Sequence, residues 1–527
     1  MNWKNWAARA ALVAVVGLSG CASMQSHDKL ATQVQASQRA GGASAALKEL
    51  EASATTDDAK AALLYNLERG ELLRQNRQYA ESTKAWLLAD AKVNEWENTA
   101  KTDPGKLFGL VGAALISERL KPFEGQDYEK VWLTTRLALN RVAENDWDNA
   151  RVDIKRTHER EAVIAEFRGK ETAAAEQEAK SKGAQSTGKD INGYPVETLN
   201  DPEVLKLKNG YQNALSHYLA GFLYEVLNES GLAAPGYRKA IELKPDTAVL
   251  EEGLRGLDDR TSFTHRRKQR MTDVLFIVES GNAPARKPVN FTFPVPISGR
   301  LNTISIAYPV IQPSLETGPS VLTFGDVSLK ATAVVDLNVM ARRALKDEMP
   351  GMMVRGVTRA IAKGVMQNEV QKRTGLLGGA IAIAVAAATE QADDRMWRTL
   401  PGMVSVARGY LPVGEHRVII DGRDTGTIVN ISGQYMLVPV QLQNAAVTVG
   451  QTASFGQMVA AAPTAAPSVA TSVPTKDIVP VANTTPARKA ATAPPAKAAT
   501  ATAAKKPAAA AAIGTAASSP APAAKRN

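Results

Sequence analysis

Gly221-Phe-Leu-Tyr-Glu-Val-Leu-Asn-Glu-Ser-Gly-Leu-Ala-Ala-Pro-Gly-Tyr-Arg-Lys-Ala-Ile-Glu-Leu-Lys-Pro245 is the stretch on which the fold turns. Small residues at Gly221, Ala233 and Ala240 alternate with large ones at Tyr224 and Tyr237, spacings at which two antiparallel helices interlock. Lys244-Pro245 closes the second helix, because proline cannot continue it. Upstream, Ala61 to Asp90 repeats the pattern: a helix, a break at Gln75-Asn76-Arg77, and a second helix, with Gly70, Leu73, Tyr79, Trp86 and Ala89 at the interlocking positions. A weaker copy lies around Ala138, Trp147, Ala150 and Ile154, with Arg141 where a large apolar residue is expected.

These three segments resemble tetratricopeptide repeats; the competing reading is a helical bundle with chance spacing. One helix pair cannot bury its apolar face alone, whereas stacked pairs share a core and leave a groove. From repeat register alone, Leu67, Arg74, Tyr218 and Phe222 are expected to point into that groove and grip a protein partner. The copies are not contiguous. Asp103-Pro104-Gly105 interrupts them, a short apolar helix is expected over Leu107 to Ile116, and Asp127 is the expected N-cap of the next pair. The helix after Ala150 should run to about Lys182, its end in solvent or on a partner, before a linker at Gly183 to Gly193.

Further along, the hydrophobic period changes to two. Strands are expected at Asp273 to Glu279, Val289 to Pro294, Thr303 to Tyr308 and Ser328 to Val335, then helices over Asn338 to Asp347 and Met352 to Lys372. Strands return at Met403 to Arg408, His416 to Ile420, Gly426 to Ile431 and Tyr435 to Leu442. Strands surrounding helices predict an α+β domain with an antiparallel sheet. The end of the chain, rich in Ala, Pro, Thr and Lys, is expected to be a disordered tail.

The chain holds 63 Lys and Arg against 53 Asp and Glu. From Thr452 onward eight basic residues face the single acid Asp477, so most of the excess belongs to the tail and the folded part is near neutral. That distribution argues against a nucleic-acid partner. A cationic tail suits the acidic peptidoglycan mesh; a solubilising extension without a ligand is the competing reading.

At the N-terminus, Lys4 and Arg9 precede an apolar run, Ala10 to Leu18, too short to span a bilayer. The segment ends Leu18-Ser19-Gly20-Cys21, which resembles a bacterial lipobox, and Cys21 is the only cysteine in the chain. The resemblance implies that the Cys21 sulfur carries diacylglycerol and its amine an acyl chain such as palmitate. A lone periplasmic thiol would otherwise risk mispairing. Ala22 resembles the residue found there in lipoproteins released to the outer membrane.

Several motifs together resemble a family of bacterial tetratricopeptide-containing lipoproteins with no assigned activity. They are Lys121-Pro-Phe-Glu-Gly-Gln-Asp-Tyr-Glu-Lys130, Leu137-Ala-Leu-Asn140, Val278-Glu-Ser-Gly-Asn-Ala-Pro284, Ala392-Asp-Asp-Arg-Met-Trp397 and Leu400-Pro401. The likeness covers most of Ala61 to Leu442 and implies an envelope lipoprotein, sometimes associated with cell-wall synthesis, without supplying catalytic residues. The expected organisation is a signal peptide at 1–20, a lipidated tether and first helix at 21–58, a tetratricopeptide-like domain at 59–260, the α+β domain at 271–450 and the tail at 451–527.

No sequence motif specifies a reaction. His158-Glu159-Arg160-Glu161 begins like a zinc-protease helix, but Ala162 stands where the second His is required. The five histidines, His27, His158, His217, His265 and His416, are scattered, so no metal or other cofactor is expected. Ser186-Thr-Gly-Lys189 lies in the linker, without the elements that would hold a base. Asp258-Asp259 and Asp393-Asp394 read as surface loops, and the uncharged run Gly375 to Ala388 as buried core. Met340, Met349, Met352, Met353 and Met366 read as core, and the basic cluster His265 to Arg270 as a solvated junction.

The expectation is a non-catalytic scaffold, lipid-anchored to the periplasmic face of the outer membrane and binding a protein partner in envelope biogenesis. The alternatives are a cell-wall enzyme whose residues converge within 271–442, with His416 the histidine to watch, and a lipid or polysaccharide transport factor, which needs an apolar cavity.

Overall fold

A computed structural model describes residues 27–108, 119, 121–181, 195–297, 300–353, 355–356, 392–443 and 446–458. Over these residues the protein is mixed α and β, with helices first and sheets after.

The first helix, α1 (His27–Ser53), is broken at Gly41-Gly42, where Gly42 takes φ 73°. It is packed rather than a free tether: Val34, Ala46 and Leu50 bury against Leu72 of α2 (Leu63–Gln75). Three helix hairpins follow: α2 with α3 (Tyr79–Thr102), α4 (Asp127–Ala143) with α5 (Trp147–Ser181), and α6 (Ala214–Val226) with α7 (Ser230–Leu243). Each turn holds one left-handed residue, Arg77, Asn145 or Asn228. Each also closes with the same two hydrogen bonds: Arg77 N donates to Arg74 O and Gln78 N to Leu73 O, with counterparts at Val142/Arg141 and Glu225/Tyr224. This is the helix-stopping arrangement in which amides beyond the end satisfy orphan carbonyls.

Residues 70, 138 and 221 are therefore equivalent, as are 86, 154 and 237. A methyl group built on Gly70 would lie 2.2 Å from Trp86 Nε1, and one on Gly221 2.7 Å from the Tyr237 ring. The large side chain of each second helix fills the space that glycine leaves on the first. Gln126, not the expected Asp127, caps α4; its amide donates to Glu129 Oε2 at 2.8 Å. Midway along α5, Ile164 and Phe167 bury against Trp96 and Val131, whereas Gly169, Lys170, Thr172, Ala173 and Gln177 towards its end are exposed, as expected.

The strands are β1 (Thr272–Ser280), β2 (Lys287–Ile297), β3 (Arg300–Val310), β4 (Val321–Phe324), β5 (Val327–Lys330) and β6 (Thr332–Asp336). After a helix over residues 337–353, α8, come β7 (Met403–Leu411), β8 (Gly414–Ile420), β9 (Arg423–Ile431), β10 (Tyr435–Gln443), β11 (Ala446–Val449) and β12 (Ala453–Phe455). The main sheet has the order β11-β10-β1-β7-β6, with β12 also pairing β10. It departs from the antiparallel expectation at one pair, β1 with β10, which run parallel. A second sheet is ordered β5-β4-β8-β9, and β2 and β3 form a separate ribbon. β12 lies where the disordered tail was expected to begin; the tail beyond residue 458 is outside the described residues.

All nine residues of β1 are buried. Side chains alternate across a strand, so Val274, Phe276 and Val278 face the second sheet, where Phe276 stacks on Phe324 at 4.6 Å. Leu275 and Ile277 face the helices and join a core that also holds Trp86, Trp132, Leu137, Phe222 and Tyr237. Helices, main sheet and second sheet thus form three layers, with β1 in the middle one.

Candidate functional site

The expected groove positions do point inward, but the chain itself fills the space they face. Leu67 and Arg74 are 2 % and 6 % exposed, and Tyr218 and Phe222 are fully buried. Phe222 packs edge-on to Tyr435 of β10 at 6.1 Å, and Arg74 pairs with Glu279 of β1. These four residues are therefore core of the helix–sheet seam, not a free partner surface.

Two ion clusters lock that seam, and both use an acid of β1. Asp273 and Glu279 are six residues apart, so both face the helices. Glu279 is shared by Arg74 and Arg136, and Glu71 Oε1 lies 2.8 Å from Arg74 Nη2. Burial alone would raise the Glu279 carboxyl; the guanidinium groups of Arg136 and Arg74 outweigh it and hold the acid at about 2. At the other end, Arg408 of β7 grips Asp273 through both oxygens, at 2.9 and 2.7 Å. It also bonds Glu225 of α6 at 2.7 Å and Tyr237 Oη at 2.9 Å.

A third set of contacts seats residues 394–399. Glu68 accepts the amides of Arg398 and Thr399 at 2.7 and 3.0 Å, and Glu129 accepts that of Trp397 at 2.5 Å. Burial outweighs these hydrogen bonds and the fields of Arg398 and Lys130, and pushes Glu68 up to about 7 and Glu129 up to about 8. Asp394 is buried, not on a surface loop; it pairs with Arg119 and accepts the Asp28 amide at 3.1 Å. Three of the motifs, those holding Gln126 and Glu129, Glu279, and Asp394 and Trp397, therefore supply these contacts, while Asn140 joins α4 to α3 by donating to Ser82 Oγ at 2.9 Å.

A cleft of about 900 Å³ opens beside α1. Its lining is more apolar than polar by area, with Leu30, Leu50, Leu64, Trp96, Leu107 and Phe123 beside the charged or polar His27, Asp58, Glu68, Arg119, Glu124 and Arg395. Lys92 and Glu95, both exposed, mark its rim. His27 Nε2 lies 2.9 Å from Met396 O, and burial lowers its imidazole to about 4.

No known family model, curated protein or solved structure matches this chain.

The histidines are less scattered in space than in sequence. His158 and Glu161, one turn apart on α5, meet His217 of α6, and one ligand atom from each lies within 4.8 Å of the others. His217 Nε2 is 3.0 Å from Glu161 Oε1, while the His158 and His217 rings stand 4.6 Å apart. Sequence spacing alone could not reveal this, because the third member arrives from another hairpin. His416 lies on β8 with Nε2 2.8 Å from Pro412 O. Met340, Met349 and Met352 are core, and Arg266 of the basic cluster binds the carbonyls of Glu225 and Val226 at the end of α6. Cys21, Ser186-Lys189, Met366 and Gly375–Ala388 lie outside the described residues. Among the described residues, no helix is long and apolar enough to cross a membrane.

Proposed function

We propose that the protein is a lipid-anchored scaffold on the periplasmic face of the outer membrane, built on three tetratricopeptide-like hairpins, with its protein partner docking in the cleft beside α1. Repeat character rests on the shared turn at Arg77, Asn145 and Asn228 and on the paired positions Gly70/Trp86 and Gly221/Tyr237. The observation that carries the docking assignment is the cleft's position. Only five residues separate Cys21 from His27, a span of at most ~20 Å. An acylated Cys21 therefore keeps the cleft close to the membrane, where a tethered adaptor meets its partner, while the repeat interior is taken by the sheet. The cationic tail is a second contact, to peptidoglycan.

The cleft's apolar lining favours a second reading, a lipid-binding or transport role, over a cell-wall enzyme. A photo-crosslinker in place of Lys92, activated in intact cells, separates the two. Discrete protein adducts support the scaffold, and adducts with lipid alone support transport. Fractionation of Cys21→Ala tests the anchor independently: the variant should leave the membrane for the soluble periplasm, and a native-like membrane fraction would remove the tether from the proposal.

A further inference from the structure

His158, Glu161 and His217 bring two imidazoles and a carboxylate together from two hairpins. His217 is fully buried, with Nε2 turned to Glu161 and no hydrogen-bond partner for Nδ1 among the described residues. We propose that these three side chains form a binding site for one divalent first-row metal ion of the zinc class.

The donor set is two imidazoles and one carboxylate, which suits zinc and its neighbours rather than calcium or magnesium, whose ligands are oxygens. Ligands about 2.0 Å from a tetrahedral zinc sit about 3.3 Å from one another. The His217–Glu161 separation of 3.0 Å is already close to that, so mainly the exposed His158 must move. The i and i+3 positions of His158 and Glu161 put them on one face of α5, towards α6.

Outer contacts resemble those that fix a metal ligand. Gln212 Nε2 donates to Glu161 Oε2 at 2.7 Å, and Asn209 Nδ2 holds Gln212 Oε1 at 2.9 Å. Glu161 is thereby oriented with Oε1 towards His217. Three protein donors leave a fourth position for water or a donor from a partner. The charge of nearby Lys239, felt at His158, opposes the ion, so micromolar rather than extreme affinity is expected.

The test is zinc titration of the full-length chain, purified in detergent without a histidine tag and stripped with a chelator. The site predicts one equivalent of zinc, unchanged by excess magnesium. His158→Ala, a change at an exposed position that leaves the fold intact, should weaken binding at least about tenfold, and Glu161→Gln should do the same. No zinc uptake, or uptake that His158→Ala leaves unaltered, overturns the site and leaves the His217–Glu161 contact as a hydrogen bond between helices.

Discussion

Glu279, on the middle strand of the middle layer, and Arg136, on α4, form an ion pair from which water is almost wholly excluded: Arg136 is fully buried and Glu279 is 5 % exposed. Two arginines and two glutamates balance at this point, so each charge depends on the others. Removing one member leaves an uncompensated charge in the core. Glu279→Gln should cost on the order of 3–5 kcal/mol, measured by urea unfolding, whereas a pair worth nothing would leave the midpoint in place. The folded Glu279 carboxyl lies below its ordinary value of 4.5, so its contribution is present above pH 4.5 and is lost as pH falls towards 2.

Glu68 and Glu129 have the opposite sign. Their folded carboxyls sit above the ordinary 4.5, so the stability they contribute is complete below pH 4.5 and is lost as pH rises to about 7 for Glu68 and about 8 for Glu129. Buried His27, lowered from 6.5 to about 4, works against this trend only between those two values. From pH 6.5 to 8 the two acids act unopposed, and about 2–3 kcal/mol should disappear. Thermal unfolding at the two pH values checks this; a flat profile would show that the amides of residues 397–399 keep both acids ionised.

Phe222→Ala should unfold the protein rather than free a binding surface. The side chain is fully buried against Tyr435 and Arg408, and emptying such a site costs about 3–5 kcal/mol. Circular dichroism of the variant decides it: a native spectrum and melting temperature would return Phe222 to the list of surface contacts.

Gly70→Ala should destabilise by about 1–3 kcal/mol, because the added methyl meets the Trp86 ring, which is itself fully enclosed. Gly231→Ala, with open space around the added methyl group, is the control and should be close to neutral. Equal melting temperatures for the two variants would contradict the interlocking of α2 and α3.

The hairpins are legible in the sequence because their information is local. Gly70 and Trp86, or Gly221 and Tyr237, lie one helix pair apart, and the spacing shows which must touch. β1 is legible for the same reason, as an apolar run of strand length. The pairing of β1 with β10 is not, since Asp273 meets Tyr435 across the chain and parallel partners leave no turn to mark them. The groove assignment fails at a specific step. Leu67, Arg74, Tyr218 and Phe222, expected to line a groove, are buried, and their spacing says nothing of what lies against them. Asp273 and Glu279, at the ends of an apolar strand, are the available hint: two acids on one face need cations, and the helices carry them. The histidine cluster lies beyond any local pattern, because α5 and α6 meet only in the fold.

The contacts that seat α1 set an order of events. His27, Asp28 and Gln35 are held by Met396, Asp394 and Arg398, all more than 360 residues later in the chain. Synthesis proceeds from the amino end, so the first helix emerges long before its dock exists. Its later turns can pack on α2 at once, but its first residues must wait while nearly the whole of the folded part follows. A truncation anywhere before residue 394 would thus remove the partners of His27, Asp28 and Gln35 while leaving the packing of α1 on α2.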